Sequence, residues 1–185
     1  MRRRDAYEND NTAFMKKWRA KDSALRKAQA DIARLMPVFD TLRPAGPVED
    51  GFVHAGPVGA GHQMKLLHNY VSLGSVALLA EAAACAQVGG VNAQTFVDVL
   101  AMGGGWGAAL ERMKPFILNQ DNTGLRFTVS NALKDLSYYN EMAEHIHADH
   151  TVASAIQDIL QTACDEGHDT RLMPELVATL TKHSR

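Results

Sequence analysis

The chain is poor in the residues that mark several specialised classes of protein. It has only two cysteines, Cys85 and Cys164, in 185 residues. Two are too few for a disulfide framework. Both sit among alanines and other apolar residues, so they read as free, buried thiols of a reducing compartment. Six prolines leave helices largely uninterrupted, and a hydrophobic fraction of 46% fits a compact, mostly helical domain, with or without an appendage. The opening residues, MRRRDAYEND, carry charge but no apolar segment, which excludes a secretory signal. The longest uncharged apolar run, around Tyr70–Ala80, falls well short of the roughly 20 residues a bilayer demands. A cytoplasmic protein with no membrane partner is expected.

Glycine is missing altogether from residues 1–30. A Rossmann fold needs repeated βαβ units and a G-x-G-x-x-G turn between its first strand and helix. The nearest match, Gly59-Ala60-Gly61-His62-Gln63-Met64, ends in methionine and has no strand–helix unit around it. It is not a phosphate loop. Nucleophile elbow and P-loop are absent as well. Charge is uneven: residues 1–27 hold nine Lys/Arg against four acids, +5, which leaves −7 of the overall −2 for the remainder. No aromatic interleaving accompanies that basic arm, so it reads as a solvated terminus and nucleic acid is not an expected partner.

What the chain does have is residues 56–81, GPVGAGHQMKLLHNYVSLGSVALLAE, a glycine-broken turn running into a long helix. Nothing breaks that helix from Gln63 until Gly89-Gly90, and Gly74 only weakens it. Lys65 and Asn69 stand four apart and share a face just past the turn. Such a pair can serve as proton donor and orienting group. Spacing alone is met more often by a solvated lysine and a buried, satisfied asparagine. His62 and His68 flank the lysine; the ordinary reading is packing, although His68 could tune Lys65 or touch a substrate carboxylate.

The remaining pattern is helical. Asp22-Ser23 caps an expected helix with Leu25, Ala28, Ile32, Leu35 and Met36 at helical spacing, and residues 51–54 form a short candidate strand. Asn92 caps a helix that ends at Gly103-Gly104-Gly105-Trp106-Gly107, either a loop over a site or a turn around a packed tryptophan. Another spans 108–118 with a bend at Pro115. Thr128 or Ser130 caps the next, and two more cover about 152–166 and 174–183. In HIHADH, His145 and His147 are two apart, on different faces of a helix, and no cysteine or further carboxylate stands at ligand spacing; no metal is expected. The alanine-rich stretch Ala77–Ala86 suits close helix approach, in a bundle core or a dimer seam.

The string GPVGAGHQMKLLHN resembles the catalytic-helix signature G-x-G-x-x-x-K-x-x-x-N of the β-hydroxyacid dehydrogenases, with Gly59, Gly61, Lys65 and Asn69 in register. This family includes 3-hydroxyisobutyrate dehydrogenase and tartronate semialdehyde reductase and is related to 6-phosphogluconate dehydrogenase. The resemblance continues through AEAAACAQVGGV and FTVSNALKDLSYY, across roughly residues 31–180. It implies a mostly α fold, a multi-helix domain around one long central helix like the carboxy-terminal domain of 6-phosphogluconate dehydrogenase. Residues 51–185 would be that domain, and residues 1–50 a basic arm plus the remnant of a largely missing dinucleotide-binding domain.

The implied chemistry is NAD(P)-dependent hydride transfer on a short 3-hydroxy acid. Lys65 is the implied acid–base and Asn69 the orienting residue, with Gly59, Gly61 and His68 at the substrate. Lys134, Asp135 and Phe127 are implied at the cofactor, NAD or NADP, which this chain alone should bind weakly. The rival reading is a non-catalytic dimerisation module or a truncated gene product. Apolar residues nearly all round the long helix lead us to expect a homodimer with the small-residue face around Ala83 as its seam.

Overall fold

The computed structural model describes residues 55–57 and 59–183. The basic arm, the expected helix after Asp22 and the candidate strand at 51–54 lie outside the described residues. Among the described residues no strand forms, and helices follow one another to the end. Residues from Gln63 onward make one compact unit. Of the unit before it, residues 55–57 and 59–62 are described, where Gly59 takes φ 94° and the Ala60 N–H donates to the Pro57 carbonyl at 2.9 Å.

Helix α1, Ala60–Val88, is 29 residues long. It stops where expected, at Gly89-Gly90, with Gly90 at φ 75°. Helix α2, Ala93–Met102, starts on Asn92, whose side chain accepts the N–H groups of Gln94 and Thr95. Helix α3, Ala108–Asn119, runs through Pro115. A 3₁₀ turn at Asn122–Gly124 leads to α4, Val129–His145, capped by the Thr128 hydroxyl on the Asn131 N–H. Helix α5 is Thr151–Asp165. A second 3₁₀ turn at Met173–Glu175 then precedes α6, Leu176–His183. Backbone bonds from Val129 to Arg171 (2.8 Å), Ser130 to Asp169 (3.0 Å) and Met173 to Phe127 (2.8 Å) tie the start of α4 to the segment entering α6.

Eight residues of α1 are buried: Leu66, Leu73, Gly74, Val76, Ala77, Ala80, Ala83 and Ala84. Leu66, Leu73, Val76, Ala80 and Ala83 pack with Met113, Phe116, Leu136, Leu160 and Met173 in one apolar cluster. By length and composition α1 could cross a bilayer, because the helix carries the apolar pattern on past the run seen in the sequence. Here its small-residue face is spent inside the chain's own core.

Three expectations are corrected by this packing. Ala83 is 2% exposed, so it cannot be a free seam. Cys85 is exposed and Cys164 only half-buried, although both are free, because Cys85 falls on the outer side of α1. Trp106 is exposed, which removes the packed-tryptophan alternative for the Gly103–Gly107 turn.

Candidate active site

Lys65 lies in the second turn of α1, exposed, and no described side chain pairs with it. Asn69, one turn further, is half-buried. Its Nδ2 donates to Asp135 Oδ2 at 2.9 Å, across 66 residues of sequence. Asp135 sits on α4, and its other oxygen, Oδ1, is 3.4 Å from the Nζ of Lys134. The carboxylate therefore bridges an amide from α1 and an ammonium from its own helix. A carboxylate can only accept, so the Asn69 amide must turn its nitrogen toward Asp135. His68 is exposed, with Nδ1 3.4 Å from Asn69 Oδ1.

His68, Asn69, Asp135 and Lys134 thus form one continuous polar chain, with Lys65 a helical turn away on α1. The asparagine is bonded by a residue of the second motif. His62 and His68 are both exposed, so neither is a packing histidine. Gly59 and Gly61 stand ahead of Lys65 at the start of α1, and a Cβ at either would meet nothing within 4 Å. Phe127 is not brought into this group. Its side chain packs on the core and its carbonyl accepts the Met173 N–H. The HIHADH histidines are divided by the end of α4, with His147 at φ 58° beyond it. Among the described residues no cluster of three His, Cys, Asp or Glu side chains could hold a metal ion.

Two site features escaped the sequence. One is that Asp135 grips Asn69. The other is a stack of Tyr70, next to Asn69 in the chain, on Tyr139, one turn after Asp135, with centroids 4.2 Å apart and planes at 21°.

The family described as "NAD-binding of NADP-dependent 3-hydroxyisobutyrate dehydrogenase" matches residues 59–180. The chain belongs to that family. Among solved structures, a 3-hydroxyisobutyrate dehydrogenase from Salmonella typhimurium shares the fold at TM-score 0.67 and 23% identity, over 80% of this chain and 50% of that one. The Mycobacterium tuberculosis 3-hydroxyisobutyrate dehydrogenase, described with L-serine, matches at TM-score 0.61 and 27% identity, over 76% and 51%. No curated protein matches. The chain spans about half the length of the solved relatives it matches.

Proposed function

We propose that this chain supplies the helical half of an NAD(P)-dependent dehydrogenase acting on a short 3-hydroxy acid. The observation that carries the reading is the Asn69–Asp135 bond, which joins the two family motifs in one polar chain beside two exposed lysines. The L-serine described with the mycobacterial relative is itself a 3-hydroxy acid, which supports the substrate class.

The residues fit an anionic dinucleotide and a carboxylate substrate in charge. Lys65 and Lys134 present exposed ammonium groups on two helices that meet at Asn69 and Asp135. When bound, the nicotinamide supplies or accepts the hydride, and the protein supplies position and protons. Lys65 Nζ holds the proton exchanged with the substrate hydroxyl or carbonyl oxygen. Asn69, its amide fixed by Asp135, orients the substrate through its remaining oxygen and N–H. Lys134 donates to the cofactor.

The chain alone is expected to bind NADH or NADPH with a dissociation constant of millimolar order, about −4 kcal/mol. Micromolar binding in a fluorescence titration would contradict that. Fused behind a dinucleotide-binding domain, it is expected to reduce a small semialdehyde acid, and Lys65→Ala should lower the rate by roughly 10²-fold or more. A variant within threefold of its parent removes Lys65 from the mechanism. The partner we propose is a second copy of the chain.

A further inference from the structure

The Asn69–Asp135 bond is half-exposed and runs between two separate helices, so on its own it is a weak device for fixing their register. Sliding α1 along α4 by one turn, about 5.4 Å, would carry the 2.9 Å bond far beyond hydrogen-bonding range. Something else must hold the two helices at that setting. Tyr70 follows Asn69 directly and Tyr139 lies one turn after Asp135, and the two rings meet nearly parallel at 4.2 Å. Tyr139 is 8% exposed and belongs to the core cluster, and Tyr70 packs against that cluster. Two stacked faces resist sliding and rotation together, because either motion uncovers ring area.

The third wall of this arrangement comes from α5. A Cβ at Gly74 would stand 3.1 Å from Ile156 Cδ1 and 3.7 Å from Tyr70 Cε2. Glycine in mid-helix is unfavourable. At this position its lack of a side chain lets Ile156 close down beside Tyr70. Burial and the neighbouring Tyr139 also push the Tyr70 phenol above its ordinary range.

We propose that Tyr70 and Tyr139 are positioning residues, a stacked clamp that sets the α1–α4 register and through it the Asn69–Asp135 pair. The consequence for catalysis rests on the dehydrogenase reading, but the clamp itself does not. Neither phenol oxygen has a described partner, so the rings act by their faces. Tyr139→Phe should then behave as the native chain.

The test is nuclear magnetic resonance of the Asn69 side-chain amide protons in the full chain. In native protein and Tyr139→Phe, one of these protons is expected at a hydrogen-bonded shift and slow to exchange. In Tyr139→Leu it should move toward the shift of a free amide and exchange at least tenfold faster, with α1 backbone amides still helical. Tyr70→Leu, at the less buried ring, should do the same and serves if Tyr139→Leu does not fold. Val97→Ala, a core deletion on α2, should lower the melting temperature and leave the Asn69 protons in place. The proposal is overturned if the leucine variants leave those protons unchanged, or if Val97→Ala shifts them equally. Either result is read without any turnover, so it is separate from the fate of the dehydrogenase reading.

Discussion

At the scale of single residues, Gly124 has the least room for a side chain among the described glycines. A Cβ there would sit 2.3 Å from the Arg112 carbonyl oxygen and 3.2 Å from Pro115 Cγ, backbone and ring that cannot swing aside. Gly124→Ala is therefore expected to force the 3₁₀ turn away from α3, at a cost of about 1–3 kcal/mol, typical of overpacking. Thermal unfolding checks this; an unchanged melting temperature would show that the turn yields freely. The site asks for the opposite kind of precision. Asp135 must keep two partners at once, and neither Asn69 nor Lys134 has a substitute among the described side chains.

At the scale of the helix, the ends are held by local chemistry that sequence displays openly. Asn92 caps α2 as its position announced, and of the two candidates Thr128 and Ser130 it is Thr128 that caps α4. Just ahead of α5, Asp149 Oδ1 accepts the Thr151 N–H at 2.9 Å and its hydroxyl at 2.8 Å. These bonds hold the Asp149 carboxyl below its ordinary range, the backbone bond most. With the folded value lower than the unfolded one, the contribution is present above the unfolded carboxylate range. It disappears as pH falls through the folded value. The gap in melting temperature between the native chain and Asp149→Ala should accordingly narrow on acidification, and a gap equal at neutral pH and at about pH 2 would refute the linkage. Helices and their boundaries were legible because caps and glycine stops act within a few residues. The Asn69–Asp135 bond and the tyrosine stack were not, because they join positions more than 60 residues apart and no local pattern records them. Nor does apolar periodicity say which apolar face meets the chain's own core, which is why Ala83 and Cys85 were misplaced.

For the whole molecule, the open question is the outer side of α1. Met64, Val71, Leu78 and Cys85 recur every seven residues and are all exposed, Leu78 at 67%. They lie across the helix from Leu66, Leu73, Val76 and Ala80. A stripe with this repeat suits another helix of similar length. The described helices other than α1 have 17 residues or fewer, which favours a second α1 in a two-fold pair. Sedimentation should give twice 20.2 kDa for the chain and a return to 20.2 kDa for Leu78→Glu. A native chain that sediments as a monomer ends the proposal. Ala83→Glu, by contrast, should unfold the core. The ties between helices also set an order in time. The five residues 146–150 separate α4 from α5, so that hairpin closes a short loop and can form early. The contacts that seat α1, Asn69 with Asp135 and Gln87 with Thr181, span 66 and 94 positions and must wait for long-range closure. In pulse-labelled refolding, amides of α4 and α5 should be protected before those of α1. The chain builds its scaffold first, and its polar site is completed only by the last helix to dock.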